Sequence, residues 1–287
     1  MAIPKFLKMV AGRLTEAVMT ALEVTDTLGY VPREKLAAAR TYYVRTDGND
    51  ANTGLVDSAG GAFLTIQKAV DVAAALDNGG YNITISIAAG TYTAGATLKS
   101  FVGSGYILIR GGTADRTSTL ISTTSANCFT SGGHDGLYRI QYLKMQTTTG
   151  GACYSAWGRG ATYFGYVTFG ACAASHLSVN QNASVLMEYD YSISGGATAH
   201  WAVNQQARLT VNSGTITITG TPAFSAFATA NLQSQISGWY ATTTFSGSAT
   251  GSRYSVNNSS VISFGGSATY LPGNAAGNVW DALSSYS

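Results

Sequence analysis

Charge is what this sequence has least of. Lys, Arg, Asp and Glu make up 10% of its 287 residues, against roughly 25% in an ordinary soluble protein. The net formal charge of +2 gives no electrostatic reason to expect a nucleic acid or a membrane surface as partner. Proline stops at 4 while glycine reaches 34. Three cysteines, Cys128, Cys153 and Cys172, are an odd number with no CxxC pair and no metal-ligand spacing. They fit buried free thiols in a protein made in a reducing cytosol rather than a disulfide framework. No apolar run reaches the length of a transmembrane span, so membrane insertion is not expected. Arg13 and Glu16 interrupt the apolar residues that follow Lys5 and Lys8, so no secretory signal peptide is read.

Hydrophobic residues are present at an ordinary 45%, which excludes a disordered chain. Ser, Thr, Asn and Gln supply the remaining polarity, and with glycine they point to short strands and tight turns. The charge is unevenly spread: residues 1–40 hold 10 of the 30 charged side chains and 2 of the 34 glycines. Leu7, Val10, Leu14, Ala17, Val18, Ala21 and Leu22 recur at helical spacing, so Ile3 to about Val24 is expected as an amphipathic helix. Pro32 can open a second short helix through Arg40. Such a helix needs a partner for its apolar stripe, either the body of the protein or another chain.

From Thr41 the texture changes. Tyr42 to Arg45 reads as a strand and Thr46 to Gly54 as a cluster of turn formers. Phe63 to Leu76 reads as a helix with Ile66, Ala69, Val70, Ala73 and Ala74 on one face. Strands follow at Asn82–Ile87 and Tyr106–Arg110. The sequence from His176 to Ala183 then reappears from His200 to Ala207, an offset of 24 (200 − 176). The same offset relates Val179 to Val203, Asn180 to Asn204, Gln181 to Gln205, Val185 to Leu209 and Met187 to Val211. Val256-Asn257 repeats the theme once more. A degenerate period of roughly 20 to 25 residues built of short strands is a solenoid pattern.

The expected fold is therefore all-β: a right-handed single-stranded parallel β-helix with a helical N-terminal segment and a capping helix at 63–76. Inward positions should stack as ladders of Val, Ile, Leu, Ala and Cys, the three cysteines forming one of them. The expected organisation is a segment 1–40 for attachment or oligomerisation, a body 41–270 with its N-terminal cap at 41–80, and a tail 271–287.

The residues Tyr43 to Leu55, Phe63 to Asp71 and Ala88 to Tyr92 resemble the start of pectate-lyase-like β-helix proteins, especially those of bacteriophage tail fibres and tailspikes. The stretch Tyr270 to Gly277 also resembles the ends of phage tail proteins. This resemblance implies a virion protein made in the host cytoplasm, a homotrimer, attached to another virion protein through residues 1–40. It implies recognition of a host cell-surface glycan or protein. A bacterial adhesin is disfavoured by the missing export signal. A polysaccharide depolymerase and a purely structural part, such as a head fibre or baseplate component, remain the alternatives.

Catalysis has few residues to work with. Beyond Arg116 the only carboxylates are Asp135, Glu188, Asp190 and Asp281. Glu188 and Asp190, two apart, would share one face of a strand at a separation suited to glycoside hydrolysis. Tyr189 and Tyr191 would then flank them on the other face. An ordinary pair of outward charges is the simpler reading, so the chain is not expected to be an enzyme. No lyase-type calcium cluster is visible. Asp47, Asp50 and Asn52 suit turn capping better than a cation site. His176 and His200 lie one period apart, but with His134 they lack a convincing metal-ligand pattern, and no metal or cofactor is expected. The better clue is aromatic. Tyr numbers 17, and Tyr189, Tyr191 and Trp201 are the candidate ligand contacts among the aromatics of the repeat region, which also include Tyr154, Trp157, Tyr163, Tyr166, Trp239 and Tyr240.

Overall fold

Alternate residues of Ile83–Ile87 are buried, in the order buried, half-buried, buried, and the same alternation recurs in Tyr106–Gly111, Thr119–Thr123 and Leu137–Gln141. Each of these strands hydrogen-bonds in parallel with the strand one coil away. In the computed structural model, which describes the backbone of Lys5–Val10 and Arg13–Val18 and all of 33–239 and 241–287, the chain from Lys35 to Ser287 forms one compact unit. That unit is a parallel β-solenoid of about eight turns. Three sheets of ten, seven and eight strands form its faces, visited in that order in the turns from Ile83 to Val256.

The interior is a set of stacked rows. On the ten-stranded face Tyr42, Ile85, Ile109, Ile140, Phe164, Met187 and Val211 are successive register partners. On the seven-stranded face the row is Tyr92, Ile121, Met145, Phe169, Ile193 and Ile218. On the eight-stranded face it is Ala96, Phe129, Tyr154, Leu177, Trp201, Ala228 and Tyr254. All of these side chains are buried. Parallel strands lie about 4.8 Å apart, which makes each row continuous, so a side chain stacks on its equivalents above and below. The anticipated offset is the physical repeat: Val179 pairs with Val203, Val185 with Leu209 and Met187 with Val211.

The helix Ile66–Ala74 begins at Thr65, whose hydroxyl accepts the Lys68 amide at 3.2 Å. Its buried residues are Ile66, Ala69, Val70, Ala73 and Ala74, the face read from the sequence. The Asp50 carboxylate accepts from the Leu64 and Thr65 amides, 2.9 Å each, and from the Thr65 hydroxyl at 2.7 Å. Asp47 pairs with Arg45 at 2.8 Å, and the Asn52 amide donates to the Ala59 and Ala62 carbonyls. All three act as turn and helix clips.

Three expectations need correction. Lys5–Val10 and Arg13–Val18 are antiparallel strands, with Lys5 opposite Val18 and Val10 opposite Arg13, where a helix was expected over Ile3 to Val24. Ala11-Gly12 separates them in sequence, and glycine inside a helix costs about 1 kcal/mol; a pair containing glycine suits a hairpin instead. Residues 19–24 of the expected helix lie outside the described residues. No helix occupies 33–40: Lys35 forms a bridge to Asp77 and Arg40 already opens the strand Arg40–Val44. Finally, 271–287 continues the solenoid rather than leaving it, because Asn278–Val279 and Ser285–Tyr286 pair with Ser255–Val256 and Val261–Ile262.

Candidate ligand-binding surface

The corner between the ten- and seven-stranded faces carries a column of stacked, partly exposed tyrosines. Tyr142 and Tyr166 both sit at φ 55°, where the chain turns sharply off one face onto the next. The Tyr142 amide donates to the Tyr166 carbonyl at 3.1 Å, so the two corners stack one turn apart. Their rings stack at 4.8 Å between centroids and 17° between planes, and Tyr166 stacks on Tyr189 at 4.8 Å and 9°. Tyr142 and Tyr166 are half-buried, and Tyr189 is 37% exposed. Gly165 makes room for this: a Cβ there would lie 2.6 Å from Cδ2 of the Tyr189 ring.

Arginines are interleaved with the rings. The Arg110 guanidinium lies 4.8 Å from the Tyr142 centroid and that of Arg116 5.3 Å from Tyr166, within cation–π range. Arg139 lies between Tyr106 and Tyr163, at 4.9 and 5.3 Å. Its Nη1 donates to Glu188 Oε2 at 2.8 Å, tying residues 49 apart in sequence. Burial, first, and then the neighbouring phenols raise the Tyr166 hydroxyl above its ordinary pKa.

The candidate residues from the sequence are divided by this geometry. Glu188, Tyr189 and Asp190 are not in a strand but form the corner between Ser184–Met187 and Tyr191–Ile193. Glu188 is held by Arg139, whereas Asp190 Oδ1 accepts the Thr215 amide at 2.9 Å. The two carboxylates thus serve different partners. Tyr189 is the exposed end of the tyrosine column. Tyr191 and Trp201 are both 0% exposed and belong to the interior, so neither contacts a surface ligand. Trp201 packs on Phe264 in parallel at 5.8 Å and on Phe227 edge-on at 5.2 Å. Tyr142 and the arginines were missed; the available signal was the one-coil spacing of Tyr142 and Tyr166.

The histidines are interior as well. His176 Nε2 lies 2.8 Å from the Gly170 carbonyl, His176 Nδ1 lies 2.9 Å from His200 Nδ1, and His200 Nε2 lies 2.8 Å from the Tyr191 hydroxyl. A carbonyl only accepts, so His176 Nε2 carries the hydrogen and its Nδ1 accepts from His200; Tyr191 then donates to His200 Nε2. Burial lowers the His176 pKa to about 4 and holds His200 well below its ordinary value. The cysteine ladder is partial. Cys128 and Cys153 precede the register pair Phe129–Tyr154, but the next place in that column, before Leu177, is His176. Cys172 reaches the column from the preceding corner, with the Thr147 hydroxyl donating to its sulfur at 3.3 Å. Hydrogen bonds from Cys153 and Thr147 lower the Cys172 thiol to about 6, while burial pushes Cys153 up. Among the described residues no group of three or more His, Cys, Asp or Glu side chains is arranged to hold a metal ion.

A concavity of about 590 Å³ runs along the corner between the eight- and ten-stranded faces. Four successive turns there use two left-handed residues each: Gln181-Asn182, Gln205-Gln206, Leu232-Gln233 and Asn258-Ser259. Several amides of this corner bond to one another between coils, Asn204 to Asn180 at 3.2 Å and Gln206 to Gln233 at 3.0 Å. They knit the turns together. No protein family, curated protein or solved structure matches the chain.

The tyrosine–arginine corner therefore offers what a surface site needs: the exposed ring of Tyr189 at the end of the stack, phenol hydroxyls repeated at the spacing of the coils, and guanidinium donors on a rigid scaffold.

Proposed function

We propose that this chain is a bacteriophage virion appendage of the tail-fibre or tailspike kind, a homotrimer whose right-handed β-helix recognises glycans on the host surface without cleaving them. Residues 1–40 attach it to another virion protein, and the helix Ile66–Ala74 caps the first coil, where unpaired backbone would otherwise invite edge-to-edge growth. The virion assignment is supported by the resemblance carried by Tyr43 to Leu55, Phe63 to Asp71 and Ala88 to Tyr92. The observation that carries the glycan reading is the partly exposed stack of Tyr142, Tyr166 and Tyr189. Aromatic rings bury the C–H faces of sugars, and a stack already held by the scaffold gives up little conformational entropy on binding. A depolymerase would need Glu188 and Asp190 as a pair, and the engagement of Glu188 with Arg139 argues for the non-enzymatic form.

Antibody labelling of intact particles tests the virion reading, and addition of the purified chain to an adsorption assay tests its role. Label at tail appendages and inhibition of adsorption are expected, with a sedimentation mass near three chains. Label elsewhere on the particle with no effect on adsorption would favour a structural decoration instead. A mass near one chain, 29.7 kDa, would overturn the trimer.

A further inference from the structure

We infer that the glycan taken by the tyrosine corner is acidic, with a carboxylate that docks between Arg110 and Arg116. This rests on the glycan-binding reading above. The corner is not merely aromatic, because cations are threaded along it and two of them have no ion-pair partner among the described residues. Arg139 is matched by Glu188 at 2.8 Å. Among the described residues no carboxylate lies within ion-pair distance of Arg110 or Arg116. Arg110 donates through Nε to the Gly111 carbonyl at 3.2 Å, which leaves the outer fork of its guanidinium unused.

The acidic groups nearby have their own partners. Asp115 accepts from the Thr117 amide at 2.9 Å and from the Thr117 hydroxyl at 2.8 Å, and Asp190 takes the Thr215 amide. Asp115 and Arg116 are neighbours in the connection between the strands Tyr106–Gly111 and Thr119–Thr123. From there Arg116 reaches the ring of Tyr166, on a strand-to-strand corner two coils along. A planar guanidinium held against a ring is pre-organised to bind a carboxylate through two parallel hydrogen bonds. The two arginines sit against adjacent rungs, Tyr142 and Tyr166, whose centroids are 4.8 Å apart. Tyr189 ends the stack. Among the described residues no further aromatic ring pairs with Tyr189, and its 37% exposure lets a sugar ring rest against it while its acidic neighbour reaches the arginines.

Single-stranded nucleic acid also combines negative charge with flat rings. It fits less well: nucleic-acid channels track the backbone with a positively charged groove that spans several nucleotides. The net charge of +2 gives no extended basic groove.

The test is affinity electrophoresis of the full chain through gels containing polygalacturonate, hyaluronan or polysialic acid as carboxylate polymers. Dextran and carboxyl-reduced polygalacturonate serve as neutral polymers, and oligo-dT as a nucleic-acid control. Retardation by at least one carboxylate polymer is expected, weakened about tenfold in Arg110→Ala and Arg116→Ala, as loss of one charge-assisted contact requires. Arg116→Lys, which keeps the charge but not the fork, should fall between. Circular dichroism melting of each variant confirms that the fold is kept. Equal or stronger retardation by the neutral polymers, or arginine variants that bind like the parent, would overturn the acidic inference and leave glycan binding standing. Retardation by oligo-dT alone, or by nothing, would overturn both.

Discussion

The Nδ1 atoms of His176 and His200 face each other at 2.9 Å inside the solenoid, a contact that needs at least one neutral ring to accept. It is closed at one end by the Gly170 carbonyl and at the other by the Tyr191 hydroxyl. A proton added to His176 Nδ1 would meet the N–H of His200. Each unfolded histidine takes up a proton near pH 6.5, whereas folded His176 resists until about 4 and burial holds His200 well below its ordinary value. Burial lowers His134 too. Between those limits the unfolded chain binds more protons. Stability should be full above pH 6.5 and fall as the pH drops, by up to about 1.4 kcal/mol per pH unit for each histidine. Urea midpoints measured from pH 7.5 to 4.5 check this. A flat profile across that range would contradict it.

Gly165 should report on the tyrosine column without touching the core. A methyl group at this position meets the Tyr189 ring, so Gly165→Ala is expected to swing Tyr189 off Tyr166. Binding to whatever polymer the parent retains should weaken several-fold while the melting temperature changes little. Unchanged binding would remove Tyr189 from the site.

Leu232 holds φ 55° and is 44% exposed. Its counterparts in the corner ladder are Gln181, Gln205 and Asn258, and asparagine tolerates left-handed backbone far better than leucine. Leu232→Asn is therefore expected to stabilise the fold by about 0.5–1 kcal/mol, seen as a higher urea midpoint with an unchanged slope. A lower midpoint would mean that Leu232 packs against something the corner needs.

Glu188→Gln separates a structural carboxylate from a catalytic one. The ion pair with Arg139 is only partly exposed, at 22% and 21% for the two side chains, and its loss should cost about 1 kcal/mol, somewhat above the median for surface pairs. No polysaccharide hydrolysis should be present to lose. If the parent releases reducing sugar and Glu188→Gln does not, the depolymerase reading takes over.

The solenoid was legible because its period is written in residues that stack on themselves. Val179 and Val203, or Asn180 and Asn204, are adjacent in space because they are equivalent in sequence. The helix Ile66–Ala74 was legible from its apolar face. The N-terminal strands were not, since Leu7, Val10 and Leu14 satisfy a helical period while Ala11-Gly12 admits a hairpin. The site was harder for a related reason. Alternation places side chains only within a strand, and Glu188 to Asp190 are a corner, so the expected pairing of the two carboxylates and of Tyr189 with Tyr191 fails there. A corner sends Tyr189 outward and lets the next strand start again with Tyr191 inward. Trp201 was misread as a surface aromatic because its small register partner Ala228, which gives it room inside, lies one coil away rather than beside it in sequence.

Binding of the purified chain to an array of bacterial surface polysaccharides, compared with a Tyr142→Ala/Tyr166→Ala/Tyr189→Ala variant of matched melting temperature, tests the central claim most directly. The account predicts retention on a small set of polysaccharides by the parent and loss of that retention, by tenfold or more, in the variant. A parent that binds none of them, or a variant that binds as the parent does, would contradict it.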